Sequence, residues 1–136
     1  MSILVDTNVL SELARPRPDP RVVDWAGGLS MVILSVVTIE EVFFGLSAKS
    51  SPRIERWFED FLESDCRILE ITTPIARHAG VLRGQLAKRG RLRAQADMLI
   101  AATAALHGLT LATRNERDFK GCGVTVVNPF MTALAE

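Results

Sequence analysis

"ILVDTNVL", residues 3–10, is an apolar run that a carboxylate interrupts just before a second apolar run begins. The residues before Asp6 are continuously apolar, which is typical of a strand that is covered on both faces of a parallel sheet. Asp6 is therefore expected where the chain leaves a buried strand. At that position a carboxylate can cap the following helix or hold a cation, and the stretch alone leaves both roles open.

Other runs of the same kind predict the fold class. Five segments have the apolar character of buried strands: residues 2–5, 31–36, 66–71, 109–113 and 124–127. Amphipathic segments separate them, with helix-start pairs at Asp19-Pro20, Ser51-Pro52 and Thr73-Pro74 and a helix stop at Gly108. This alternation predicts an α/β fold over residues 1–136: a single domain with a mostly parallel sheet of about five strands, flanked by helices.

Composition excludes several classes of protein. The 136 residues are 48% hydrophobic and 24% charged, as in ordinary globular proteins, and no apolar run is long enough to span a bilayer. The N-terminus lacks the pattern of a secretion signal, so a cytoplasmic location is expected. Cys66 and Cys122 lack metal-type spacing and are expected to be free thiols. Because the net charge is zero, nucleic-acid binding would need a local basic patch.

The acids that follow strands are the candidates for a functional site, because ligands of parallel sheets bind beyond the carboxyl ends of the strands. Asp6 and Asp118 follow the first and fourth strands, and the pair Glu40-Glu41 opens the helix after the second. Asp97 lies early in an Ala-rich helix. Each also has a plain structural interpretation: a helix cap, a solvated turn, surface charge, or an acid that the helix dipole favours.

Asp97 is the acid that a structural role explains least well. Ala101 and Ala104 share its helix face, so that face is expected to pack closely on the sheet, where an unpaired carboxylate is costly. The helical wheel favours Glu41 over Glu40 without deciding between them. Several carboxylates in one pocket would raise each other's pKa, and a hard cation such as Mg²⁺ or Mn²⁺ would relieve this repulsion. Such a site suits phosphoryl chemistry.

Four motifs in order, "LVDTNVL", "VVTIEEVFFGL", "ADMLIAATA" and "LATRNERDF", resemble those of the PIN-domain ribonucleases. The similarity is to the VapC toxins of bacterial toxin–antitoxin pairs, and in particular to their FitB-like branch. It runs from residue 2 to about residue 130. The resemblance implies an endoribonuclease that depends on Mg²⁺ or Mn²⁺ and is typically a homodimer. It also implies a small antitoxin partner of the VapB or FitA kind, through which the toxin associates with operator DNA.

Residue by residue, the resemblance implies a set of metal-site acids, and it selects Glu41 over Glu40. The implied acids, which would be both catalytic and metal-binding, are Asp6, Glu41, Asp97 and Asp118. The polar neighbours that would order the site or its water are Thr7, Asn8, Thr113 and Asn115. The family often carries Asp at the position of Asn115. The Asn in this chain implies that Asp118 contributes more to metal binding, or that the second metal position is weaker.

A basic segment precedes Asp97 and is a candidate for RNA binding. Its cations, to which Arg114 adds, are Arg83, Lys88, Arg89, Arg91 and Arg93. They would contact phosphates without reading the base sequence. The alternative is a solvated helix end whose cations are favoured by the helix dipole.

Rival functions make different demands on the sequence. A haloacid-dehalogenase-like phosphatase would need an Asp two residues after Asp6, where this chain has Asn8. A response-regulator receiver would need an acidic pair after its first strand and a Lys after its last, and both are absent from the sequence. A third rival is a PIN-like partner protein that acts mainly in an antitoxin and operator-DNA complex with little nuclease activity. Metal titration and an RNA cleavage assay distinguish it from the enzyme.

Overall fold

The strand that ends before Asp6 is the middle strand of the sheet. In the computed structural model, which describes residues 2–64 and 66–133, five parallel strands lie in the order β3-β2-β1-β4-β5. They are β1 (Ile3–Val5), β2 (Val32–Ser35), β3 (Cys66–Leu69), β4 (Thr110–Ala112) and β5 (Val126–Val127). The predicted α/β fold with a parallel sheet of five strands is confirmed, and each strand is one or two residues shorter than its apolar run.

Six α-helices connect or follow the strands. They are α1 (Thr7–Leu13), α2 (Pro20–Gly27), α3 (Val36–Ala48), α4 (Pro52–Leu62), α5 (Thr73–Lys88) and α6 (Gln95–His107). Two 3₁₀ helices follow, at Glu116–Phe119 and Pro129–Met131. Asp19 caps α2 and Ser51 caps α4, as the Asp-Pro and Ser-Pro pairs predict. Thr72 caps α5, one residue before the predicted start of that helix. Gly108 ends α6 with a left-handed backbone (φ +64°).

The start of α3 differs from the prediction. Glu40 and Glu41 were expected to open this helix, but it begins at Val36, and both acids lie in its second turn. The Ser35 side chain accepts a hydrogen bond from the Val37 amide at 3.0 Å and so caps the helix early. The β-branched residues after Ser35 favour a strand by intrinsic propensity, but the cap and the packing of the helix prevail.

Apolar layers cover both faces of the sheet, as the continuously apolar strands predict. Leu4 packs in the layer that α5 and α6 supply, whereas its neighbour Val5 packs in the layer formed with α1 to α4. Ala101 and Ala104 of α6 are fully buried, so this helix lies close to the sheet. The described residues include no helix with the length and apolarity needed to cross a membrane. Cys66 and Cys122 are free thiols, as expected.

Candidate functional site

Asp6 is fixed at the carboxyl end of β1 by hydrogen bonds to both of its carboxylate oxygens. Oδ1 accepts from the Thr7 amide at 2.8 Å, which caps α1. Oδ2 accepts from the Thr113 hydroxyl at 2.7 Å and from the Asn8 side-chain amide at 3.0 Å. Burial raises the pKa of this carboxyl, the three hydrogen bonds oppose the rise, and the charge of Asp118 adds to it. Asp6 is thus both the helix cap and a buried acid with ordered oxygens.

Glu41 is held beside Asp6 by Thr7. The Thr7 hydroxyl lies 2.6 Å from Glu41 Oε1 and 3.1 Å from the hydroxyl of the buried Thr38. Glu41 is half-buried, whereas Glu40 on the same helix is exposed. The fold therefore turns Glu41, and not Glu40, towards the other acids.

Asp97 lies in the first turn of α6, and the charges of the three other acids act on its carboxyl group. Its pKa is raised to about 6, first by burial and then by the charges of Asp6, Asp118 and Glu41, while the charge of Arg93 lowers it. A carboxylate at a helix N-terminus would ordinarily be stabilised in its charged form. Burial and the charges of the three other acids outweigh this effect, and those charges show that four acids from four different elements share one electrostatic environment at the carboxyl edge of the sheet.

Asp118 and Asn115 lie on the segment that follows β4. Asp118 belongs to the first 3₁₀ helix, and its charge raises the pKa of both Asp6 and Asp97. The backbone amide of Asn115 donates to the Thr113 hydroxyl at 3.1 Å, but its side chain is exposed. Asn115 thus orders Thr113, and through it Asp6, by its backbone amide.

The side-chain oxygens at this edge are of the chemical type that binds a hard divalent cation. They are carboxylate and hydroxyl oxygens, the preferred ligands of Mg²⁺ and Mn²⁺, and a cation would relieve the repulsion that raises the pKa of Asp97. Within residues 2–64 and 66–133, however, no three His, Cys, Asp or Glu side chains form a group ready to hold a metal ion. The carboxylates that would hold it are close enough to repel each other but would have to draw together around it.

The basic segment extends from the end of α5 to the start of α6. Four of its cations, Arg83, Lys88, Arg89 and Arg91, are exposed, and for these the solvated-helix-end interpretation stays open. Arg93 differs from them because it is half-buried and its charge acts on Asp97. Its Nε is buried and has no hydrogen-bond partner among the described residues. Arg93 therefore places an unpaired donor beside the acids.

One polar residue of the site was missed by the sequence analysis. Thr38 is fully buried, and its hydroxyl contacts that of Thr7, which in turn binds Glu41. The available signal was its position three residues before Glu41, on the same helix face within an apolar run.

Comparisons with known proteins agree with the fold of this chain. The PIN domain family model matches residues 3–122. The chain is 34% identical to the VapC ribonuclease Y4jK of Sinorhizobium fredii, over 96% of this chain and 99% of that protein. It is 37% identical to Toxin FitB of Neisseria gonorrhoeae, over 94% and 98%. Among solved structures, FitAB bound to an IR36 DNA fragment superposes with a TM-score of 0.81 at 34% identity, over 98% of this chain and 99% of that chain.

Proposed function

Because this chain belongs to the PIN-domain family, we propose that it is an endoribonuclease that depends on Mg²⁺ or Mn²⁺ and hydrolyses phosphodiester bonds in RNA. The observation that carries the proposal is the convergence of Asp6, Glu41, Asp118 and Asp97: burial, and then the charges of the three other acids, raise the pKa of Asp97 to about 6. The similarity to a VapC ribonuclease over nearly the whole chain supports the same activity.

In this proposal the four carboxylates would hold the cation, with Asp6 and Asp97 as its buried and half-buried ligands. The bound cation would activate water and stabilise the departing oxygen of the phosphodiester. The Thr113 and Asn8 hydrogen bonds keep Asp6 Oδ2 oriented, and Thr7 keeps Glu41 oriented. Fixed donors of this kind reduce the reorganisation that a loose carboxylate would need.

Arg93 has a separate role in the proposal. A phosphodiester brings negative charge to a pocket that already contains four acids, and a nearby cation offsets part of that repulsion. Arg93 is half-buried and its charge acts on Asp97, so its guanidinium is placed to offset part of the negative charge that a phosphate brings to the acids.

The biological setting is proposed from the same similarities. We expect the chain to be the toxin of a type II toxin–antitoxin pair, acting in the cytoplasm as a homodimer and inhibited by a small antitoxin. Its similarity to Toxin FitB supports the toxin role, and the DNA bound by FitAB supports an association with operator DNA through the antitoxin.

Paired variants of adjacent glutamates test the proposed activity. Glu41→Gln should reduce cleavage of single-stranded RNA in Mg²⁺ or Mn²⁺ by at least about 100-fold, because a metal ligand contributes several kcal/mol to the transition state. Glu40→Gln removes the same charge from the exposed neighbour and should cleave like the parent. Circular dichroism and thermal unfolding establish that both variants are folded.

Two other results would contradict the proposed activity. If Glu41→Gln or Asp97→Asn cleaves RNA as fast as the parent, the four-acid site is not the catalytic site. If the parent binds the cation but leaves RNA intact, the result favours the partner protein that has little nuclease activity.

A further inference from the structure

An open cleft of about 490 Å³ lies between the loop that joins α1 to α2 and the segments that follow β4 and β5, and one of its lining residues, Arg114, directly follows Thr113, which binds Asp6. Its volume is within the usual range of small-ligand sites. Nine residues line it, including four arginines and two acids, so the lining carries a net charge of +2. The loop that joins α1 to α2 includes the proline-rich segment "RPRPDP", residues 15–20.

Arg114 connects this cleft to the proposed catalytic site. Its backbone amide donates to Asn8 Oδ1 at 3.0 Å, and the Asn8 side-chain amide donates to Asp6 at 3.0 Å. Asp6 also binds the hydroxyl of Thr113, the residue before Arg114. The hydrogen bonds of Asn8 and Thr113 therefore fix the backbone of Arg114 relative to Asp6.

The Arg114 guanidinium lies over an aromatic ring. Its guanidinium carbon is 4.6 Å from the centre of the Phe130 ring, and Phe130 is buried while Arg114 is exposed. Asn128 holds the ring in place, because it accepts from the Phe130 amide at 3.0 Å and lies 3.4 Å from the Arg114 carbonyl oxygen. A guanidinium supported on one face in this way presents a planar cation on the other.

The opposite wall of the cleft is held by a buried acid. Glu12 is 6% exposed, binds Arg15 at 3.0 Å and accepts from the Asp19 amide at 2.8 Å. Asp19 in turn binds Arg21 at 2.9 Å. Arg15 and Arg21 are thus ordered by acids, whereas Arg17 makes no ion pair or hydrogen bond within the described residues. The wall is preformed and retains cationic donors for a further anion.

We propose that this cleft binds the nucleotide next to the phosphate that is cleaved: its base stacks on the open face of Arg114, and Arg17 contacts its phosphate. The inference rests on the proposed ribonuclease function and deepens it. Stacking on a planar side chain combined with a cationic groove is how proteins bind single-stranded RNA. An acidic peptide would use the charge of the cleft but would have no need of a stacking face beside the catalytic acids.

Substitutions at Arg114 separate stacking from charge. Arg114→Lys keeps the charge and removes the planar face, and Arg114→Ala removes both. Arg56→Lys and Arg56→Ala are the matched controls, because Arg56 is exposed on α4 and does not line the cleft. All are made in the full chain with Asp97→Asn, so that RNA is bound without being cut.

The probe is a single-stranded RNA of about eight nucleotides with one abasic nucleotide at each position in turn. We expect one position at which loss of the base weakens binding to the Asp97→Asn chain by about 5- to 20-fold, within the range for base stacking. This penalty should disappear in both Arg114 variants and persist in both Arg56 variants.

Each other outcome overturns an identified part of the argument. An equal abasic penalty in the Arg114→Lys chain and its Asp97→Asn parent excludes stacking on Arg114. A loss in Arg114→Ala no greater than in Arg56→Ala excludes the cleft, as does a loss of antitoxin binding while RNA binding is unchanged. If the chain without substitutions binds RNA but does not cut it, the proposed activity fails while the abasic scan still decides the cleft. If it neither binds nor cuts RNA, both fail.

Discussion

At the scale of single residues, Asp6 shows that a helix cap and the proposed cation site are compatible, because a carboxylate has two oxygens. One oxygen caps α1 through the Thr7 amide, and the other receives Thr113 and Asn8. The cap therefore fixes the orientation of the acid instead of competing with its role in the site. Substitution of such a residue removes a helix cap and a site acid together, so Asp97 is the better position for testing the site.

Asp97→Asn should stabilise the metal-free protein at neutral and alkaline pH. The pKa of Asp97 is about 6 in the folded chain against an ordinary value of 3.8, so the folded state binds more protons than the unfolded state between these values. Stability is lost as the pH rises through this range and stays lost above it. With allowance for partial exposure, the variant should gain about 1–2 kcal/mol at pH 8, or about 3–8 °C in Tm.

Calorimetry in EDTA at several pH values measures this effect. The gain should shrink as the pH falls towards about 4, where Asp97 of the parent is largely protonated. Asp60→Asn, at an exposed position on α4, is the matched control and should change Tm little at any pH. A lower Tm for Asp97→Asn than for the parent at pH 8 would mean that the negative charge of Asp97 stabilises the fold.

The acids of the site could be identified from the sequence because each is tied to a strand end or to a helix that packs on the sheet. The sequence did not reveal which side chains face the site or which groups support them. The helical wheel barely separated Glu41 from Glu40, since adjacent helix positions differ by only about 100° and the packing of α3 decides between them. Likewise, no sequence pattern shows that Asn115 acts through its backbone or that Thr38 supports Thr7.

At the scale of elements, α6 is the one α-helix within residues 2–64 and 66–133 that lacks a side-chain cap. The other five α-helices are capped by Asp6, Asp19, Ser35, Ser51 and Thr72, but Ala94 before α6 offers no side-chain hydrogen bond. Asp97 in the first turn of α6 contributes a charge that its neighbouring acids oppose. The helix that carries the key acid is thus the one whose N-terminus is least supported.

Ala94→Ser should stabilise the protein. Ala94 is exposed and has the extended backbone (φ −66°, ψ 142°) that a capping residue needs, so a Ser hydroxyl can accept from an amide of the first turn. We expect about 0.5–1 kcal/mol from urea unfolding. Thr72→Ala, which removes the existing cap of α5, should lower stability by a similar amount. No gain from Ala94→Ser would mean that water or the packing of the loop already satisfies these amides.

The elements themselves were predictable where local signals agree. Apolar runs located every strand, and Asp-Pro or Ser-Pro pairs located the starts of α2 and α4. The start of α3 was missed because its first residues are β-branched and continue the apolar run of β2. The role proposed for "RPRPDP" could not be predicted from the sequence because it depends on Glu12, a buried acid whose partners are set by the tertiary fold.

At the scale of the whole molecule, strand order creates the site. The chain adds β2 and β3 on one side of β1 and then places β4 on the other side, so the direction of winding reverses between β1 and β4. Asp6 and Thr113 follow these two strands and are hydrogen-bonded across the reversal. Such a reversal opens a crevice at the carboxyl edge of a parallel sheet. The sequence predicted a parallel sheet but contained no signal for this order.

A cation held by acids from separate elements should stabilise the whole fold, because it binds the folded chain and not the unfolded one. Millimolar Mg²⁺ or Mn²⁺ should therefore raise the Tm of the parent by about 3–8 °C at pH 8. The rise should be smaller near pH 5.5, where protons compete for Asp97, whose pKa is about 6. Asp97→Asn should lose most of the rise, and Asp60→Asn should keep it. Equal shifts in the parent and in Asp97→Asn at both pH values would place the bound cation away from the four acids.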